Sequence, residues 1–476
     1  MKNTKLVFTC SIFSTLLIIS SLRAQSVDFS TTLGNDFYDM GHDAIVDASG
    51  NVMVTGAMSM EAGVPADAYF SRLNKYGEIE WEQSFGTVFE DGGNEIIEGA
   101  NNTYFIAGHV DVTGTDECDA LCFMINNAGD TLWTRTYGFE KDDAAYACAA
   151  APDGGFVAVG RCEIGDNPNG FILKYAIDGT LEWSKIIDGE GENYISTIKT
   201  VEDGFMMGGA LTINGDMNFL LMKTDFSGNI IWQKNYAHAG KDNVYSIQIT
   251  NDGFLLVGKS QNTFDGSSAM LMMRTDAAGD KKWEVYYGGQ HKDYAAGVDK
   301  TPDGNWVVCG TLYNVLNNSQ DAAVLMLSDD GAINALHFYG ADGDDAARRV
   351  HRDAAGGYIV CGSINQTNDN ADILLMHVDE SGATLNIPEA IENGLSVRLY
   401  PNPVTETIHL MVSATAIDAQ LLVYDINGKK VIQIDNIYSQ MIDISASELT
   451  SGLYFYSFIN KNEASTPLNG TFEVLK

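Results

Sequence analysis

Basic residues are scarce in this chain: 28 lysines and arginines stand against 64 aspartates and glutamates, a formal net charge of −36 in 476 residues. Such an excess of negative charge repels phosphate backbones and anionic membrane surfaces, so we expect no nucleic-acid partner. Proline is scarce too, at 8 residues against 48 glycines, which suits many tight turns and excludes a long proline-rich linker. With 45% hydrophobic residues, the chain can still bury a large core.

Catalytic and cofactor-binding motifs are missing from the sequence. It has no G-x-S-x-G, no H-E-x-x-H, no Walker loop and no C-x-x-C, and its histidines lack metal-ligand spacing. The 7 cysteines are too few for a disulfide scaffold, although Cys118 and Cys122 are local candidates for a bridge. No segment shows sustained helical periodicity. We therefore expect an all-β protein with no cofactor.

The first 25 residues have the order of a secretory signal peptide. Lys2 and Lys5 precede an apolar run from Leu6 to Leu22, and small and polar residues follow it. The run is short for a membrane span, which needs about 20 apolar residues, and no later stretch approaches that length. We expect export to the periplasm and no membrane span in the mature chain.

A repeat runs through most of the chain. A turn glycine recurs at intervals of 49 to 52 residues, and in five copies a tryptophan follows four residues later. The glycines are Gly77, Gly129, Gly179, Gly228, Gly279, Gly331 and Gly382, and the tryptophans are Trp81, Trp133, Trp183, Trp232 and Trp283. Each copy holds four short runs rich in β-branched and aromatic residues, separated by turn signals. Four antiparallel strands per repeat are typical of a propeller blade, so residues 26–386 predict a seven-bladed β-propeller.

The two ends of the repeat array predict how it closes. Phe29 falls on the tryptophan position, so the segment around it corresponds to a fourth strand with no first three. The last copy has three strands and only a weak fourth. Pairing the N-terminal strand with the last copy would complete the seventh blade and hide two sheet edges. We expect the tryptophans to pack between neighbouring blades.

The repeats resemble a known family of bacterial β-propeller repeats, the SBBP or delta-60-like repeats. The segments that carry the likeness are FILKYAIDG, VYYGG, KDYAAG and GNVMVTG. The resemblance covers about residues 27 to 386 and implies the propeller fold. It implies almost nothing about a ligand.

The repeat stops after Gly382. Residues 387–394 form a predicted linker, and residues 395–476 predict a small Ig-like β-sandwich with a hairpin turn at Asn427-Gly428. This last segment holds only 8 acidic and 5 basic residues, so nearly all the excess acid belongs to the repeats.

The C-terminal segment resembles the type A C-terminal sorting domain of type IX secretion. The matching residues are Tyr400, Pro401, Asn402, Pro403, Asp425, Gly428, Lys429, Leu449, Gly452, Tyr454 and Lys476. The resemblance implies the type IX secretion machinery as a partner, passage through the periplasm and outer membrane, and a secreted or cell-surface location. It also implies removal of the domain, with release or surface attachment. An ordinary Ig-like adhesive module is the alternative.

An acidic residue recurs before the first strand of every repeat. The seven residues are Asp39, Asp91, Asp143, Glu192, Asp242, Asp293 and Asp345. They could form a carboxylate ring that binds Ca²⁺, or each could accept backbone N–H bonds from a turn. We favour the structural role, because a feature present in every blade usually serves the blade itself. Basic third-strand residues offer counter-ions: Arg72, Lys174, Lys223 and Arg274.

A basic cluster occurs only in the seventh repeat. It consists of Arg348, Arg349, His351 and Arg352. Strand alternation predicts Arg348 with Arg352 on one side and Arg349 with His351 on the other. As a site, the cluster suits a carboxylate or sulfate of a polysaccharide, since arginine forks match planar anions. The alternative is local charge balance against neighbouring aspartates.

These features favour a monomeric, non-catalytic binding or adhesion protein that recognises a glycan or a protein. Two alternatives remain open: a structural surface component, and an extracellular polysaccharide-degrading propeller enzyme with acid and base on different blades. Propellers host many activities, so the predicted fold does not choose among them.

Overall fold

The computed structural model describes residues 29–474 with short gaps. The gaps are residues 36, 38, 60–63, 115–116, 140, 166, 239, 262–264, 315–318, 341–342, 368–369, 383–388, 393–394, 401–406, 413–418, 426–428, 439–440, 451 and 462–467. The predicted signal peptide therefore lies outside the described residues, as do residues 387, 388, 393 and 394 of the predicted linker. The other half of that linker, Glu389–Glu392, is a β-strand and not irregular chain. Every regular element in the described ranges is a β-strand, as predicted. None of the described residues belongs to a helix with the length and hydropathy of a membrane span.

The strands of the repeat region fall into seven groups, which we call sheets 1 to 7. Sheet 7 receives β1 (Ser30–Leu33) from the start of the chain. Sheet 1 comprises β2 (Asp39–Val46), β3 (Val52–Met58), β4 (Asp67–Leu73) and β5 (Ile79–Phe85). Sheet 2 comprises β6 (Asp91–Glu98), β7 (Thr103–Asp111), β8 (Cys118–Asn126) and β9 (Thr131–Tyr137). Sheet 3 comprises β10 (Ala144–Ala150), β11 (Phe156–Ile164), β12 (Asn167–Tyr175) and β13 (Leu181–Ile187).

The remaining four sheets have the same make-up. Sheet 4 comprises β14 (Tyr194–Val201), β15 (Gly204–Ile213), β16 (Asp216–Thr224) and β17 (Ile230–Tyr236), and sheet 5 comprises β18 (Lys241–Thr250), β19 (Gly253–Gln261), β20 (Ser268–Asp276) and β21 (Lys281–His291). Sheet 6 comprises β22 (Tyr294–Lys300), β23 (Trp306–Asn314), β24 (Ser319–Leu327) and β25 (Ile333–Tyr339). Sheet 7 comprises β26 (Asp344–Arg352), β27 (Tyr358–Thr367) and β28 (Asn370–Val378), together with β1. Within each sheet, neighbours in sequence pair antiparallel. Sheets 4 and 5 are also joined by one parallel bridge between Met217 and Lys241.

The predicted pairing of the chain's start with the last repeat is confirmed. Strand β1 is antiparallel to β28, with Ser30 opposite Met376 and Leu33 opposite Ile373. The backbone N–H of His377 donates to the carbonyl of Phe29 at 2.7 Å. The edge of β28 is therefore covered by the strand that begins the described chain.

Apolar clusters lie between consecutive sheets, and one of them joins sheet 7 to sheet 1. The second and third strands supply most of each cluster because both of their faces are buried. The cluster between the last and the first sheet contains Leu33, Ile359 and Ile373 on one side and Val54 and Tyr69 on the other. The fourth strands, such as β5 and β9, are largely exposed.

The repeated tryptophan packs between sheets, as predicted. Each lies on the fourth strand of one sheet, against the turn glycine of the next. A Cβ on Gly179, for example, would stand 2.6 Å from the ring of Trp133, and its φ of +78° also favours glycine. Phe29 occupies the same place against Gly77. The periodic glycine and aromatic ring are thus two halves of one contact.

The chain from Glu389 onward forms two further four-stranded sheets. The first orders β29 (Glu389–Glu392), β30 (Leu395–Tyr400), β31 (Thr407–Val412) and β34 (Met441–Ser445), and the second β33 (Lys430–Ile437), β32 (Ala419–Asp425), β35 (Gly452–Asn460) and β36 (Leu468–Val474). Ile408, Leu410 and Ile444 of the first sheet share one apolar cluster with Leu421 and Phe458 of the second. The two sheets therefore pack on each other with a core of their own.

The suggested bridge between Cys118 and Cys122 is wrong. Both residues lie on β8, four positions apart on one strand, which separates their Cα atoms by about 13 Å. A disulfide requires a Cα–Cα distance of less than about 7 Å. Both cysteines are free, and burial raises the pKa of the Cys122 thiol to about 12.

Candidate functional site

A β-bulge occurs at the same place in the first strand of all seven sheets. A bulge leaves one residue unpaired and turns its side chain out of the strict alternation. The bulged residues are His42, Asn94, Tyr146, Ser196, Tyr245, Ala296 and Arg348. All seven line one cavity of ≈ 780 Å³, which we call the central cavity. The first strands therefore surround a common space.

The basic cluster of sheet 7 faces this space. Arg348 and Arg349 both line the central cavity, and Arg349 also lines a second cavity of ≈ 150 Å³ together with His351. Arg352 lines neither cavity and is exposed. The predicted alternation, with Arg348 and Arg349 on opposite sides, is wrong because the bulge between Ala347 and Arg349 places both side chains on the cavity.

Four tyrosines form the aromatic part of the central cavity. Tyr146 and Tyr194 meet edge to face with ring centroids 6.3 Å apart, and Tyr245 and Tyr294 do so at 5.9 Å. Burial raises the pKa of Tyr146 and of Tyr194, and that of Tyr245 to about 12, so these phenols stay neutral hydrogen-bonding groups. No pattern in the sequence marks these four tyrosines as members of one site.

A third arginine enters the central cavity from sheet 3. The Arg161 guanidinium pairs with Glu163, which also lines the cavity, and with Asp142 at 3.4 Å. Asn94 and Asn243 add amide groups; the Asn94 amide donates to the carbonyl of Ala145 at 2.9 Å. The cavity thus combines arginine, amide and phenol groups inside a strongly acidic protein.

Buried charges lie next to Arg349. His351 Nε2 is 2.9 Å from Asp43 Oδ1, a contact between sheets 7 and 1. Burial alone would raise the pKa of Asp43, but the charge and hydrogen bond of His351 hold it below its ordinary value. Glu95 accepts a hydrogen bond from the backbone N–H of Cys148 at 2.6 Å, and burial raises its pKa. Arg349 lines the central cavity and also the second cavity, which Glu95 lines as well.

His42 is a neutral member of the cavity wall. Its Nδ1 lies 2.9 Å from the carbonyl oxygen of Gly93, which identifies that nitrogen as the donor. Burial, followed by the charge of Arg348, lowers the pKa of His42 to about 3. The positive charge of the cavity therefore comes from its arginines. Among the described residues, no group of three or more His, Cys, Asp or Glu is arranged to hold a metal ion.

The recurring acidic residues accept backbone hydrogen bonds. Asp39 accepts from the N–H groups of Asn35 at 2.8 Å and Ser59 at 3.0 Å, so it ties the preceding turn to the end of β3. Asp91, Asp143 and Asp293 make the same pair of bonds. Asp242 instead lies 3.1 Å from His238 Nδ1, and Asp345 is also buried.

Glu192 is not the fourth member of this set. It is exposed and lies 3.7 Å from Lys241 Nζ, whereas the next residue, Asn193, is fully buried. Asn193 Oδ1 accepts the N–H of Thr212 at 2.9 Å, and its Nδ2 donates to the carbonyl of Gly191 at 2.6 Å. The position requires an acceptor for a backbone N–H, and an amide oxygen meets that need as well as a carboxylate does.

The predicted counter-ions belong to other carboxylates. Each basic third-strand residue pairs with an aspartate in the turn between the first and second strands of its own sheet. The pairs are Arg72–Asp47, Lys174–Asp153, Lys223–Asp203 and Arg274–Asp252.

We expect the stability contributed by the buried aspartates to depend on pH. Burial raises the pKa of Asp39 and of Asp143 to about 6. Between about pH 4 and 6 the folded protein holds protons that the unfolded chain has released, so this contribution is present below about pH 4 and lost as pH rises through about 6. Asp143→Asn should therefore lower the free energy of unfolding by more at pH 4.5 than at pH 7.5, with a difference of about 1 kcal/mol or more. Urea unfolding of both proteins at the two pH values measures it.

The reciprocal substitution provides the matched control. Asn193→Asp places a carboxylate where the amide now donates to Gly191, so it should destabilise the protein more at pH 7.5 than at pH 4.5. Equal losses at both pH values, for either variant, would contradict the role assigned to these positions.

Part of the predicted sorting motif is described by the structure. Asp425 accepts the backbone N–H of Lys429 at 3.0 Å. The buried Tyr454 hydroxyl donates to the carbonyl of Thr450 at 2.9 Å, and its ring stacks on Phe472 at 5.5 Å. Tyr400 and Gly452 lie in strands, and Leu449 is buried. Pro401, Asn402, Pro403, Gly428 and Lys476 lie outside the described residues.

Comparison with known families decides what this segment is. Residues 398–467 match the family described as a secretion system C-terminal sorting domain. The chain carries a type IX sorting domain. Such a domain marks proteins that the type IX system secretes to the cell surface or the extracellular space, and this protein is accordingly secreted by that route. The match confirms the sorting-domain prediction over the adhesive-module alternative.

Several solved structures, β-propellers among them, are similar to this chain. The chain is similar to the WD40 β-propeller domain of Doa1 (16% identity, 75% of this chain, 98% of that chain, TM-score 0.48) and to the Neurospora crassa Pan2 WD40 domain (10%, 74%, 96%, 0.46). It is also similar to PorZ, a surface component of the type IX secretion system of Porphyromonas gingivalis (10%, 90%, 68%, 0.36). With identities this low and TM-scores below 0.5, they carry no functional argument. No curated protein matches the chain.

Proposed function

We propose that this protein is a secreted, monomeric, non-catalytic binding protein whose central cavity takes an acidic group of an extracellular glycan. The observation that carries the proposal is the composition of that cavity. Only sheet 7 places arginines at the bulge and the residue after it, Arg348 and Arg349, and Arg161 joins them. Arginine forks suit carboxylates and sulfates, and tyrosine rings and amides suit the faces and hydroxyls of a sugar.

The fold on which this proposal rests is a seven-bladed β-propeller followed by an Ig-like sandwich. Seven four-stranded sheets, apolar clusters between consecutive sheets and the pairing of β1 with β28 support the propeller. Two sheets around one apolar cluster support the sandwich. The resemblance to the bacterial propeller repeat family remains a prediction from the repeats themselves.

Binding is favoured over hydrolysis by the state of the acids around the cavity. A glycosidase needs two carboxyl groups that face the substrate, one of them protonated. Glu163 is paired with Arg161, and Glu192 lies at the rim near Lys241. Glu95, whose pKa is raised, is bound to a backbone N–H and lines the second cavity, not the central one.

We also propose that the buried acidic residues serve the blades and that the protein needs no metal cofactor, calcium included. Both oxygens of such a carboxylate already accept a backbone N–H group, as in Asp39 and Asp293, which leaves about two of its four lone pairs for a cation. Ca²⁺ takes about six to eight oxygen ligands, so one such carboxylate does not make a calcium site.

The proposal predicts selective binding of acidic oligosaccharides. Trigalacturonate should bind the mature protein, and galactotriose, which lacks its carboxylates, should bind at least about tenfold more weakly. Arg348→Gln should weaken trigalacturonate binding by a similar factor. Arg352→Gln removes the same charge from the same strand outside the cavity and should leave binding unchanged. Isothermal titration calorimetry measures all four.

Two results would contradict the proposal. Equal effects of the Arg348 and Arg352 variants would mean that general charge, and not the cavity, governs binding. If the wild type bound no acidic oligosaccharide but did bind acidic peptides, the ligand would be a protein and not a glycan.

A further inference from the structure

Sheet 6 departs from sheets 1 to 5 where those sheets use tryptophan. In β25 the equivalent residue is Ala335, four positions after Gly331. Its cross-strand partner on β24 is Met326, at the place where sheets 1, 3, 4 and 5 carry a basic residue. Sheet 6 has thus lost both an indole and a cation from one position between sheets.

Sheet 1 shows what these two side chains do together. Trp81 Nε1 donates to the carbonyl of Asn127 at 3.2 Å, and Arg72 Nη1 donates to the same oxygen at 3.3 Å. Arg72 also pairs with Asp47 at 3.2 Å. An indole and a cation therefore fill the space between the turn that holds Asp47 and the turn of the next sheet.

Sheet 5 repeats this arrangement next to sheet 6. Trp283 Nε1 donates to the carbonyl of Asp329 at 3.0 Å. Arg274 pairs with Asp252 and lies 3.6 Å from the Asp329 carboxylate. The combination of one indole, one cation and one or two carboxylates is therefore a recurring interaction of this molecule.

In sheet 6 the same place is a cavity of ≈ 360 Å³, which we call the sheet 6 groove. Met326 and Ala335 line it, and so do two exposed acids, Asp303 and Glu380. Asp303 lies in the turn between β22 and β23, which corresponds to the turn that holds Asp47 in sheet 1. Glu380 stands two residues before Gly382, as Asn127 stands two residues before Gly129. Within the described part of the chain, no lysine or arginine forms an ion pair with either acid.

A second, independent observation points to the same groove. Trp306 lines it and is 1% exposed, yet its indole N–H has no hydrogen-bond partner among the described residues. Buried tryptophan N–H groups usually have a partner, and buried polar groups without one are uncommon. The groove therefore combines a void, two acids without a lysine or arginine partner, and a wall that contains a buried indole whose N–H has no partner among the described residues.

We propose that the sheet 6 groove binds a segment of a partner polypeptide that carries a basic side chain next to an aromatic one. The aromatic ring would lie beside Ala335, next to the Met326 side chain that packs against Gly382 where tryptophan packs in sheets 1 to 5. The basic group would meet Asp303 and Glu380 as Arg72 meets Asp47. Charge complementarity selects this occupant, because an acidic segment would be repelled by both carboxylates.

Tryptamine is a suitable probe because it joins an indole to an ammonium group. The mature wild-type protein should bind tryptamine at least about tenfold more tightly than indole-3-propionate, which carries the opposite charge. Met326→Arg with Ala335→Trp installs the missing pair and should abolish tryptamine binding. Asp303→Asn with Glu380→Gln changes only exposed side chains and should weaken it about tenfold. Saturation-transfer NMR and calorimetry measure these effects.

A matched variant removes the indole and the cations from sheet 5, where both kinds of group are present. Arg274→Met with Lys282→Gln and Trp283→Ala removes the indole and both cations that pair with Asp252, and should open a second tryptamine site in sheet 5. Arg348→Gln should leave tryptamine binding unchanged, which separates this site from the central cavity. The proposal is overturned if the wild type does not bind tryptamine, if indole-3-propionate binds equally well, or if the Asp303 and Glu380 substitutions have no effect.

Discussion

Leu33→Asp is expected to lower the free energy of unfolding by at least about 4 kcal/mol, enough to unfold the repeat region or leave it prone to aggregation. Leu33 is 4% exposed and packs in the cluster that joins sheet 7 to sheet 1. A carboxylate there would be buried without a cation. Two further carboxylates, those of Asp39 and Asp372, lie beside the neighbouring Gly34 and would repel it. Loss of β1 would also expose the edge of β28.

Thr32→Asp provides the control for this substitution. It adds the same charge to the same strand, but the Thr32 side chain is exposed, so the change should stay within about 0.5 kcal/mol. Urea unfolding of the two variants and the wild type gives the comparison. If both variants unfolded like the wild type, β1 would not be the strand that closes the array.

Deletion of residues 395–476 should almost completely remove the protein from the culture medium and the cell surface. The remaining chain should accumulate in the periplasm, because the type IX system recognises its cargo through this domain. The two C-terminal sheets share their own apolar core, so their removal leaves the repeat sheets and their clusters in place. Cell fractionation with immunoblotting measures the distribution.

The reciprocal experiment controls for damage to the repeat region. Residues 387–476 fused to a periplasmic reporter should carry that reporter to the surface or the medium. A truncated protein that still reached the surface, or a fused reporter that stayed in the periplasm, would contradict the role of the sorting domain.

The repeat architecture could be predicted because each periodic residue has a local physical role. The turn glycines adopt positive φ, and at six of the seven sheet boundaries the glycine lies against an aromatic ring, whereas Gly382 meets Met326 instead. Phe29 could be placed for the same reason, although it stands alone at the start of the chain. The sorting domain could be predicted because several motif residues occur in a fixed order.

The central cavity could not be predicted, because its wall comes from seven strands far apart in sequence. Strict alternation would place Arg348 and Arg349 on opposite sides of the strand. Neither residue type predicts the bulge that brings both side chains to one cavity. A signal was nonetheless present: the bulged residue always lies three positions after the buried aspartate or asparagine, as Tyr146 follows Asp143. Charge alone favours Glu192 over Asn193, whereas the turn requires only an acceptor oxygen.

A crystal structure of the mature protein soaked with trigalacturonate would show where an acidic sugar binds. One uronate carboxylate should lie within hydrogen-bonding distance of the Arg348 guanidinium, inside a cavity ringed by the seven bulged residues. A sugar bound only on the outer strands, or a ring with another number of sheets, would contradict the proposal.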